Sequence, residues 1–261
     1  RRFTAQGEGN DMMRVLVTGG AGGIGLAIAR RFHAEGHRVL IGDVDRDGID
    51  KALAAHPGMV GARCDVSQVA EIDALFEAAS AHLSGLDVLV NNVGIGGPTA
   101  PADELPSADW RAVIDINLTG TFEVTQRAIP LLKASAGTII TLSSAAGRYG
   151  YPNRIAYATS KWGLIGFTKT LAMELGPFDV TANAILPGAV GGERFDRVIA
   201  GRATVSGRSV AEETALGLAS QSLKRIVPPE HVADLALFLT TPAGRSISGA
   251  ALPIDCDLQH G

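Results

Sequence analysis

The chain alternates short, almost wholly apolar runs with longer segments in which apolar residues recur at every third or fourth position. Short runs rich in valine, isoleucine and leucine are typical of buried strands, and the wider spacing is typical of helices with one buried face. Seven strands are predicted on this basis, at 14–19, 38–43, 59–66, 86–92, 137–144, 180–187 and 249–255. Helical segments such as 25–36 and 71–83 separate them.

The regular alternation of strand and helix predicts an α/β fold. Neighbouring strands can be parallel only if the chain crosses back over about a dozen residues or more, and a helix usually makes that crossover. Such crossovers cover the sheet from both sides, so we predict a doubly wound parallel sheet of about seven strands with helices on both faces. In these sheets ligands bind beyond the carboxyl ends of the strands, which makes the residues after each strand the candidates for chemistry.

The periodic pattern is absent at the start of the chain and changes before the last strand. Residues 1–12 show no periodicity and are predicted to be a disordered extension. Residues 13–261 contain neither an internal repeat nor a low-complexity linker, and we interpret them as a single domain. Within it, an insertion at about 189–229 carries two weakly amphipathic helices, predicted at about 194–203 and 209–223. Loops often carry specificity, so we expect the insertion to border the substrate.

Composition and charge argue against several classes of partner. The net charge is −4 with a pI of about 5.9, and no run of lysine and arginine offers the basic field that attracts nucleic acid. No apolar run reaches the roughly 18 residues that cross a bilayer, and the first residues lack the apolar segment of a secretory signal. We therefore expect a cytoplasmic protein with neither a nucleic-acid nor a membrane partner.

The two cysteines, Cys64 and Cys256, are too few for a disulfide framework or a zinc site. Both lie in apolar runs of the kind that form strands. Buried free thiols are therefore predicted at both positions, and no metal site is predicted in the chain.

A glycine-rich segment, TGGAGGIG, follows the first predicted strand and precedes a helix. Glycines allow the backbone to approach a pyrophosphate closely, and the helix directs its free N–H groups and the positive end of its dipole at the phosphates. Two registers fit the letters. One uses Gly20, Gly22 and Gly25, and the other uses Thr18, Gly19, Gly23 and Gly25. The alternative is a closely packed turn without a ligand, but the position between strand and helix favours nucleotide binding.

Asp43 ends the second predicted strand, at the place where a carboxylate would meet the adenosine ribose of a dinucleotide. A carboxylate there accepts a hydrogen bond from the 2′-hydroxyl and repels a 2′-phosphate, which favours NAD over NADP. The alternative role for Asp43 is to cap the helix that follows. Arg46 lies close enough in sequence to meet a phosphate, so NADP stays open as the less favoured cofactor.

Tyr157 and Lys161 are four residues apart in a helical segment, so their side chains share one face of the helix. A nearby ammonium favours the ionised form of a phenol, and such a pair can exchange a proton near neutral pH. The alternative is a solvated surface pair, but two further polar residues favour catalysis. Ser144 follows the fifth predicted strand. Asn117 lies inside an apolar helical segment, where it either bends the helix or holds a water between Lys161 and solvent.

Taken together, these motifs resemble the short-chain dehydrogenase/reductase family over about residues 13–255. The similarity is carried by TGGAGGIG, by NNVG at 91–94, by CDV at 64–66, and by the serine, tyrosine and lysine described above. It favours the register of the glycine-rich segment that begins at Thr18. It also implies a Rossmann-type dinucleotide-binding fold.

The resemblance implies a catalytic set and a role for each member. Tyr157 would be the general acid and base, Ser144 would orient the reacting oxygen, and Lys161 would bind the nicotinamide ribose and favour the ionised tyrosine. Asn117 would support a water relay. Ser143 competes with its neighbour for the role of the serine, but the thirteen-residue spacing to the tyrosine favours Ser144.

The resemblance also implies the contacts of a dinucleotide, NAD being favoured. The implied cofactor-binding residues are Thr18, Gly19, Gly23, Ile24, Gly25, Asp43, Asp65, Val66, Asn92, Gly94, Tyr157, Lys161, Pro187, Gly188 and Val190. Two positions depart from the family's pattern. Gly192 stands where a threonine often contacts the nicotinamide carboxamide, so this contact is missing here or made by backbone. Residues 255–257 read DCD where DGG is usual, which weakens any inference about a C-terminal subunit contact.

The function that we predict is reversible hydride transfer between NAD and a secondary alcohol, with a sugar, polyol or hydroxy acid favoured over a long acyl chain. One alternative is an NADPH-dependent 3-oxoacyl thioester reductase, which would use the same catalytic residues. Another is a non-catalytic, NAD-binding redox sensor, which would predict a broken catalytic set. Four arginines of the insertion offer charge for an anionic substrate, namely Arg194, Arg197, Arg202 and Arg208.

Self-association is also predicted. The segment 161–175 is apolar on more than one face, although a helix that packs only on its own sheet needs a single apolar face. The second face suggests a contact between subunits, and the family resemblance implies a homotetramer or a homodimer.

Overall fold

A computed structural model describes residues 12–259 and contains one parallel sheet of seven strands in the order β3-β2-β1-β4-β5-β6-β7. The strands are β1 Arg14–Thr18, β2 Arg38–Asp43, β3 Val60–Arg63, β4 Val88–Asn91, β5 Thr138–Leu142, β6 Thr181–Pro187 and β7 Ala251–Ile254. This architecture confirms the predicted doubly wound α/β fold. Residues 1–11 of the predicted N-terminal extension lie outside the described residues.

Helices flank the sheet on both faces. They are α1 Gly23–Ala34, α2 Arg46–Ala55, α3 Val69–Leu83, α4 Ser107–Ile114, α5 Gly120–Ser135, α6 Ile155–Leu175, α7 Glu193–Ser206, α8 Val210–Gly217 and α9 Pro229–Phe238. Helices α1, α2 and α9 pack in one apolar layer, and α3, α5 and α6 pack in the other. No helix in the described part of the chain is long and apolar enough to cross a membrane.

The two layers explain why the strands read as continuous apolar runs. Within β1, Val15 and Val17 belong to the layer of α1, whereas Leu16 belongs to the layer of α3. Successive side chains of a strand point to opposite faces, so a sheet that is covered on both sides buries every position. Because the strand order reverses at β1 and β4, a crevice opens between the carboxyl ends of these two strands, where ligands bind in sheets of this type.

Six of the seven strands are shorter than predicted, and the second strand alone has its predicted bounds. The third was expected over 59–66, but its pairing with β2 stops at Arg63, opposite Asp43. The strand ends there because β2, the only strand that pairs with it in residues 12–259, ends at the same level. The last strand was expected over 249–255 and forms only over 251–254.

The insertion contains the two predicted helices with corrected bounds. The first runs over 193–206, and the second ends at Gly217 rather than at 223. Residues beyond Gly217 turn away because they are held by the C-terminal segment: the buried Gln221 donates through Nε2 to the Asp255 carbonyl oxygen at 2.9 Å. A short parallel bridge between Val190 and Val227 closes the base of the insertion.

Only one of the two thiols is buried as predicted. Cys64 is buried, and desolvation raises the pKa of its thiol to about 11, which leaves it protonated and unreactive at neutral pH. The prediction was wrong for Cys256. This residue is partly exposed in a bend beyond β7, with a φ of 58°, a backbone conformation that removes it from the strand.

Candidate active site

The residues singled out from the sequence gather at the carboxyl ends of β1, β2, β4, β5 and β6. The glycine-rich turn follows β1, Asp43 ends β2, Asn92 and Gly94 follow β4, and Ser144 follows β5. Tyr157 and Lys161 reach the same edge from α6, and Asn117 reaches it from the turn between α4 and α5. The topology therefore brings side chains that are far apart in sequence to one edge of the sheet.

The glycine-rich turn has steric requirements at specific positions. Gly19 and Gly23 have φ values of 63° and 53°, a region that favours glycine. A Cβ on Gly25 would collide with the carbonyl oxygen of Gly19. Gly22 is different: its backbone is extended, and nothing lies within 4 Å of a Cβ built there. Gly20 is also crowded, since a Cβ there would lie 2.7 Å from the Ile41 side chain. Among the positions that differ between the two registers, Gly19 and Gly23 need glycine for their positive φ, whereas Gly22 shows neither a steric nor a conformational requirement.

The N-terminus of α1 faces this turn with its backbone N–H groups free of side-chain caps. Gly22 precedes the helix and has no side chain to cap it, and the first turn contains no acidic residue. Uncapped N–H groups and the positive end of the helix dipole form a site for an anion such as a phosphate. Ile24 lies in this first turn and is partly buried.

Asp43 is held against the same turn. Its Oδ2 accepts a hydrogen bond from the Ala21 amide at 2.9 Å, and its Oδ1 accepts one from the Asp45 amide at 3.0 Å. The alternative helix-capping role is wrong for Asp43, because Asp45 caps α2 by accepting from the Gly48 amide at 3.0 Å. Arg46 forms an exposed ion pair with Asp50 at 3.4 Å. A partly exposed carboxylate thus stands at the edge of the glycine-rich turn.

Thr18 and Asn92 tie the turn to the end of β4. The buried Thr18 hydroxyl accepts from the Asn92 amide at 3.1 Å and donates to the Val90 carbonyl at 3.3 Å. The Asn92 side chain donates to the carbonyl oxygens of Gly19 at 2.8 Å and Thr18 at 3.2 Å. Asn92 therefore fixes the shape of the crevice by binding protein backbone.

Asp65 and Val66 follow β3. The Asp65 carboxylate accepts from the amide of Ser67 at 2.9 Å and from its hydroxyl at 2.8 Å, which orders the turn before α3. Val66 is buried against Gly120, where a Cβ would lie 2.7 Å from the Val66 side chain. Both residues lie just beyond the carboxyl end of β3, at the same edge of the sheet as Asp43.

Lys161 and Asn117 form a buried polar centre beside Gly94. The Lys161 side chain is 4% exposed, and its Nζ donates to the Leu142 carbonyl at 2.8 Å. A Cβ on Gly94 would lie 3.2 Å from this nitrogen and 3.4 Å from Asn117 Oδ1. A larger residue at this position would crowd both polar groups, so the glycine keeps the approach to the lysine open.

The Asn117 amide links the loop after β4 to α6. Its Oδ1 accepts from the Ile95 amide at 2.7 Å, and its Nδ2 donates to the Ile95 carbonyl at 2.9 Å and to Ser160 Oγ at 3.0 Å. Asn117 lies in a π-helical turn over Asp115–Thr119, the kind of irregularity that is frequent at functional sites. The carbonyl of Asn117 accepts from the Thr121 hydroxyl at 2.8 Å.

Ser144 and Ser143 have different surroundings. Ser143 is buried, and its hydroxyl donates to the Lys161 carbonyl at 2.8 Å. Ser144 is partly exposed, and its Oγ accepts from the Ala146 amide at 3.1 Å. Because a hydroxyl has one proton, Ser143 has committed its proton to protein backbone, whereas the Ser144 proton is available to a ligand oxygen.

Tyr157 stands between two cations. Its ring centroid lies 5.8 Å from Lys161 Nζ and 5.5 Å from the Arg154 guanidinium carbon. A third neighbour is the Tyr151 ring, 6.5 Å away at an angle of 66°. Sequence reasoning predicted the lysine and missed Arg154. The signal was present, because a residue three positions before a helical tyrosine lies on the same face.

The end of β6 leads into the insertion. Pro187 is buried, Gly188 packs against Asp255, and Val190 is held by the bridge described above. Gly192 precedes α7 with a φ of 127°, so any contact to a ligand from this position is made by backbone. The C-terminal segment covers this region, since the Tyr149 hydroxyl donates to the Leu258 carbonyl at 2.8 Å.

The four arginines of the insertion do not form a cluster within the described side chains. Arg208 pairs with the buried Glu213 at 3.0 Å, and Arg197 is exposed on α7. The side chains of Arg194 and Arg202 lie outside the description. The insertion therefore gives little support to the anion-binding role that its arginine content suggested.

An apolar cavity of about 570 Å³ lies on the other side of α6. Its lining includes Tyr151, Ile155 and Trp162 but neither Tyr157 nor Lys161. Residues of α6 at these positions face away from the polar centre because they lie on the opposite side of the helix. The cavity therefore lies beside the candidate active site and adjoins it at Tyr151, whose ring is 6.5 Å from that of Tyr157.

Comparison with known proteins places these observations in context. A sequence model of the family described as short chain dehydrogenase matches residues 13–202. The chain is 36% identical over 246 residues to the D-beta-hydroxybutyrate dehydrogenase of Cupriavidus necator, covering 92% of this chain and 95% of that one. It is 35% identical over 249 residues to the 3-oxoacyl-(acyl-carrier-protein) reductase MabA of Mycobacterium bovis, covering 95% and 93%.

A solved structure is similar over nearly the whole fold. A variant of the actinorhodin polyketide ketoreductase, determined with NADPH, superposes with a TM-score of 0.89 at 33% identity. The superposition covers 94% of this chain and 96% of the ketoreductase.

Proposed function

This chain belongs to the short-chain dehydrogenase/reductase family, and we propose that it is an NAD-dependent dehydrogenase that interconverts a secondary alcohol and its ketone. Members of this family are NAD(P)-dependent oxidoreductases acting on hydroxyl and keto groups. The observation that carries the proposal is one juxtaposition: Tyr157 beside Lys161, at the same sheet edge as a glycine-rich turn bordered by Asp43. A sugar, a polyol or a hydroxy acid is the proposed class of alcohol.

The residues present fit a dinucleotide. The backbone of the glycine-rich turn approaches closely because a Cβ on Gly25 has no room, and the uncapped N-terminus of α1 suits a pyrophosphate. Thr18 and Asn92 shape this turn, and Asp43 would accept hydrogen bonds from the adenosine ribose. When bound, the nicotinamide supplies the carbon that takes up or returns hydride.

Tyr157 would move the proton in this reaction. During oxidation, tyrosinate takes the proton of the substrate hydroxyl, and during reduction the tyrosine returns it to the carbonyl oxygen. Lys161 is buried nearby, with its Nζ 5.8 Å from the centroid of the tyrosine ring. Ser144 would donate its free proton to the same substrate oxygen and hold it for transfer.

Asn117 would act through the positions of its neighbours. Its side chain fixes Ile95 and Ser160, so it holds the loop after β4 against α6. We propose that this link holds α6, and with it Lys161, in position beside the tyrosine, and that the Asn117 backbone supports the water relay. The side chain itself is fully engaged with protein groups.

The proposed use of NAD is supported by the Asp43 carboxylate. A charge at this place repels the 2′-phosphate of NADP and accepts from the ribose hydroxyls of NAD. We expect wild-type turnover with NAD to exceed turnover with NADP over a panel of sugars, polyols, hydroxy acids and simple secondary alcohols. In Asp43→Asn, the preference for NAD, measured as the ratio of kcat/KM values, should fall by about 10-fold, because a charged hydrogen bond becomes a neutral one.

Asp47→Asn is the matched control, since Asp47 is exposed in the first turn of α2 and its loss changes the net charge equally. The control should keep the wild-type ratio. Equal or better turnover with NADP in the wild type would contradict the proposed cofactor. Failure of every alcohol and every corresponding ketone with both cofactors would contradict the proposed reaction.

A reductase of 3-oxoacyl thioesters is the second candidate. It is favoured by the similarity to a protein named as such a reductase, which shares 35% identity with this chain. This candidate predicts NADPH as the donor and turnover of acetoacetyl-coenzyme A, whereas Asp43 argues for NAD. A non-catalytic redox sensor is a weaker candidate, because the serine, tyrosine, lysine and asparagine of the catalytic set are all present and lie at one edge of the sheet.

We also propose that the chain self-associates through the outer side of α6. Trp162 and Met173 are 52% and 81% exposed on this helix, and Trp162 also lines the apolar cavity. Large exposed apolar side chains on one helix face are typical of a surface that is covered by a partner. Sedimentation velocity at micromolar concentration should show a dimer or a tetramer, and a monomer under these conditions would contradict the proposal.

A further inference from the structure

Arg154 is a charged residue next to the proposed acid and base that has no acidic partner in the described part of the chain. It precedes α6 and lies one turn before Tyr157, with its guanidinium carbon 5.5 Å from the tyrosine ring. Its Nη2 donates to the Gly96 carbonyl at 3.0 Å, and its Nη1 approaches the Thr99 hydroxyl at 3.4 Å. Its Nε is buried without a hydrogen-bond partner.

These contacts leave the charge of the guanidinium uncompensated. A guanidinium has five N–H donors and stays protonated, and a carbonyl and a hydroxyl satisfy donors without neutralising the charge. Other arginines of this region do have acids: Arg148 lies 3.8 Å from the Asp255 carboxylate, and Arg208 lies 3.0 Å from Glu213. Burying a cation without an anion costs free energy. The position of Arg154 between the loop after β4 and Tyr157 therefore suggests that a bound ligand supplies the missing negative charge.

We propose that Arg154 binds the carboxylate of the substrate, and that the preferred substrates are short hydroxy acids and the matching keto acids. The inference rests on the proposed dehydrogenase function and names the substrate class for that site. Tyr157 and Ser144 would hold the reacting oxygen, while the guanidinium receives a carboxylate that lies within a few carbons of it. Arginine is suited to this role because its planar fork can bind both carboxylate oxygens.

The charge balance favours a carboxylate over a phosphate. One uncompensated cation matches a group with one negative charge, whereas a phosphate monoester carries close to two at neutral pH. The two arginines of the insertion whose side chains are described give no comparable site: Arg208 is already paired, and Arg197 lies exposed on α7. The substrate anion is therefore assigned to the start of α6.

The experiment compares acids with neutral analogues of nearly the same shape. Short 2-, 3- and 4-hydroxy acids and their primary amides are assayed with wild type, Arg154→Gln, Arg154→Lys and the control Arg197→Gln. The glutamine keeps a donor for the Gly96 carbonyl but loses the charge. We expect kcat/KM for the best acid to fall by at least about 20-fold in Arg154→Gln, as for a lost charged hydrogen bond, with the amide changed by less than about 3-fold.

Arg154→Lys should keep a large part of the preference for the acid, and Arg197→Gln should keep all of it. An inhibitor gives a second readout: butyrate, which has the carboxylate but no hydroxyl, should compete with the acid in the wild type and much more weakly in Arg154→Gln. An equal loss for acid and amide would overturn the inference, because it would make Arg154 only a clamp on the Gly96 loop.

Two other outcomes would also test whether Arg154 binds the substrate carboxylate. A wild type that turns over neutral alcohols or amides as well as the acids would overturn the inference and leave the proposed dehydrogenase function intact. A wild type that turns over no alcohol and no ketone with either cofactor would instead refute the dehydrogenase function itself, and with it the inference.

Discussion

Replacing Tyr157 by phenylalanine should lower kcat by about 1000-fold, the middle of the range for loss of a positioned general acid or base. This corresponds to about 4 kcal/mol of transition-state stabilisation. The physical reason is that the Tyr157 phenol, whose ring lies near both Lys161 and Arg154, is the proposed proton acceptor, and phenylalanine has no group that can take the proton. Phenylalanine keeps the ring and its packing, and the affinity for NAD, measured by calorimetry, should change little.

Tyr151→Phe is the matched control for this variant. Tyr151 is 39% exposed, and its ring lies 6.5 Å from that of Tyr157, so the control removes a neighbouring phenol of the same kind. It should keep kcat within a few fold of the wild type. A Tyr157→Phe protein that retains more than a tenth of wild-type turnover on the best substrate would refute the proposed role.

The second large effect is expected at Gly25. Alanine at this position places a methyl group on the carbonyl oxygen of Gly19, and the contact can be relieved only by moving the backbone of the glycine-rich turn. Overpacking of a closely packed site costs about 1–3 kcal/mol, and here the cost falls on the phosphate-binding geometry. The dissociation constant for NAD should therefore rise by at least about 30-fold, as measured by calorimetry.

Gly22→Ala tests the same turn without the steric conflict. Gly22 has extended backbone, and a Cβ built there has open space around it. NAD affinity should remain within about 3-fold of the wild type, and the circular dichroism spectra of both variants should match it. If the two substitutions weaken binding equally, the register that begins at Thr18 is wrong, because Gly22 belongs to the other register.

The order of the elements could be predicted from sequence because it depends on local patterns. Apolar runs and helical periodicity lie within contiguous segments, and the spacing of Tyr157 and Lys161 follows from helix geometry alone. The glycine-rich turn was found for the same reason. What failed depended on contacts between distant segments. The helix after Val210 ends early because residues of the C-terminal segment, such as Asp255, compete for its last part.

The sequence predicted which residues form the candidate site, but not the hydrogen bonds that hold them together. That Asn117 is tied to Ile95 and Ser160 could not be read from the sequence, since these contacts span 22 and 43 residues. Arg154 was missed for another reason: arginine content drew attention to the insertion, where Arg197 is exposed and Arg208 is paired. Arg154 is notable because it is partly buried and has no acidic partner among the described residues. Both properties depend on the folded chain and cannot be read from the sequence.

The seam between β1 and β4 gives the proposed cofactor a second effect, on the stability of the fold. The seam joins residues that are far apart in sequence, as the contact of Thr18 with Asn92 across 74 residues shows. A dinucleotide that binds at this seam binds only the folded chain, and at 100 times its dissociation constant it would add about 2.7 kcal/mol to the free energy of unfolding. The lifetime of this protein against unfolding and proteolysis would then follow the concentration of its cofactor.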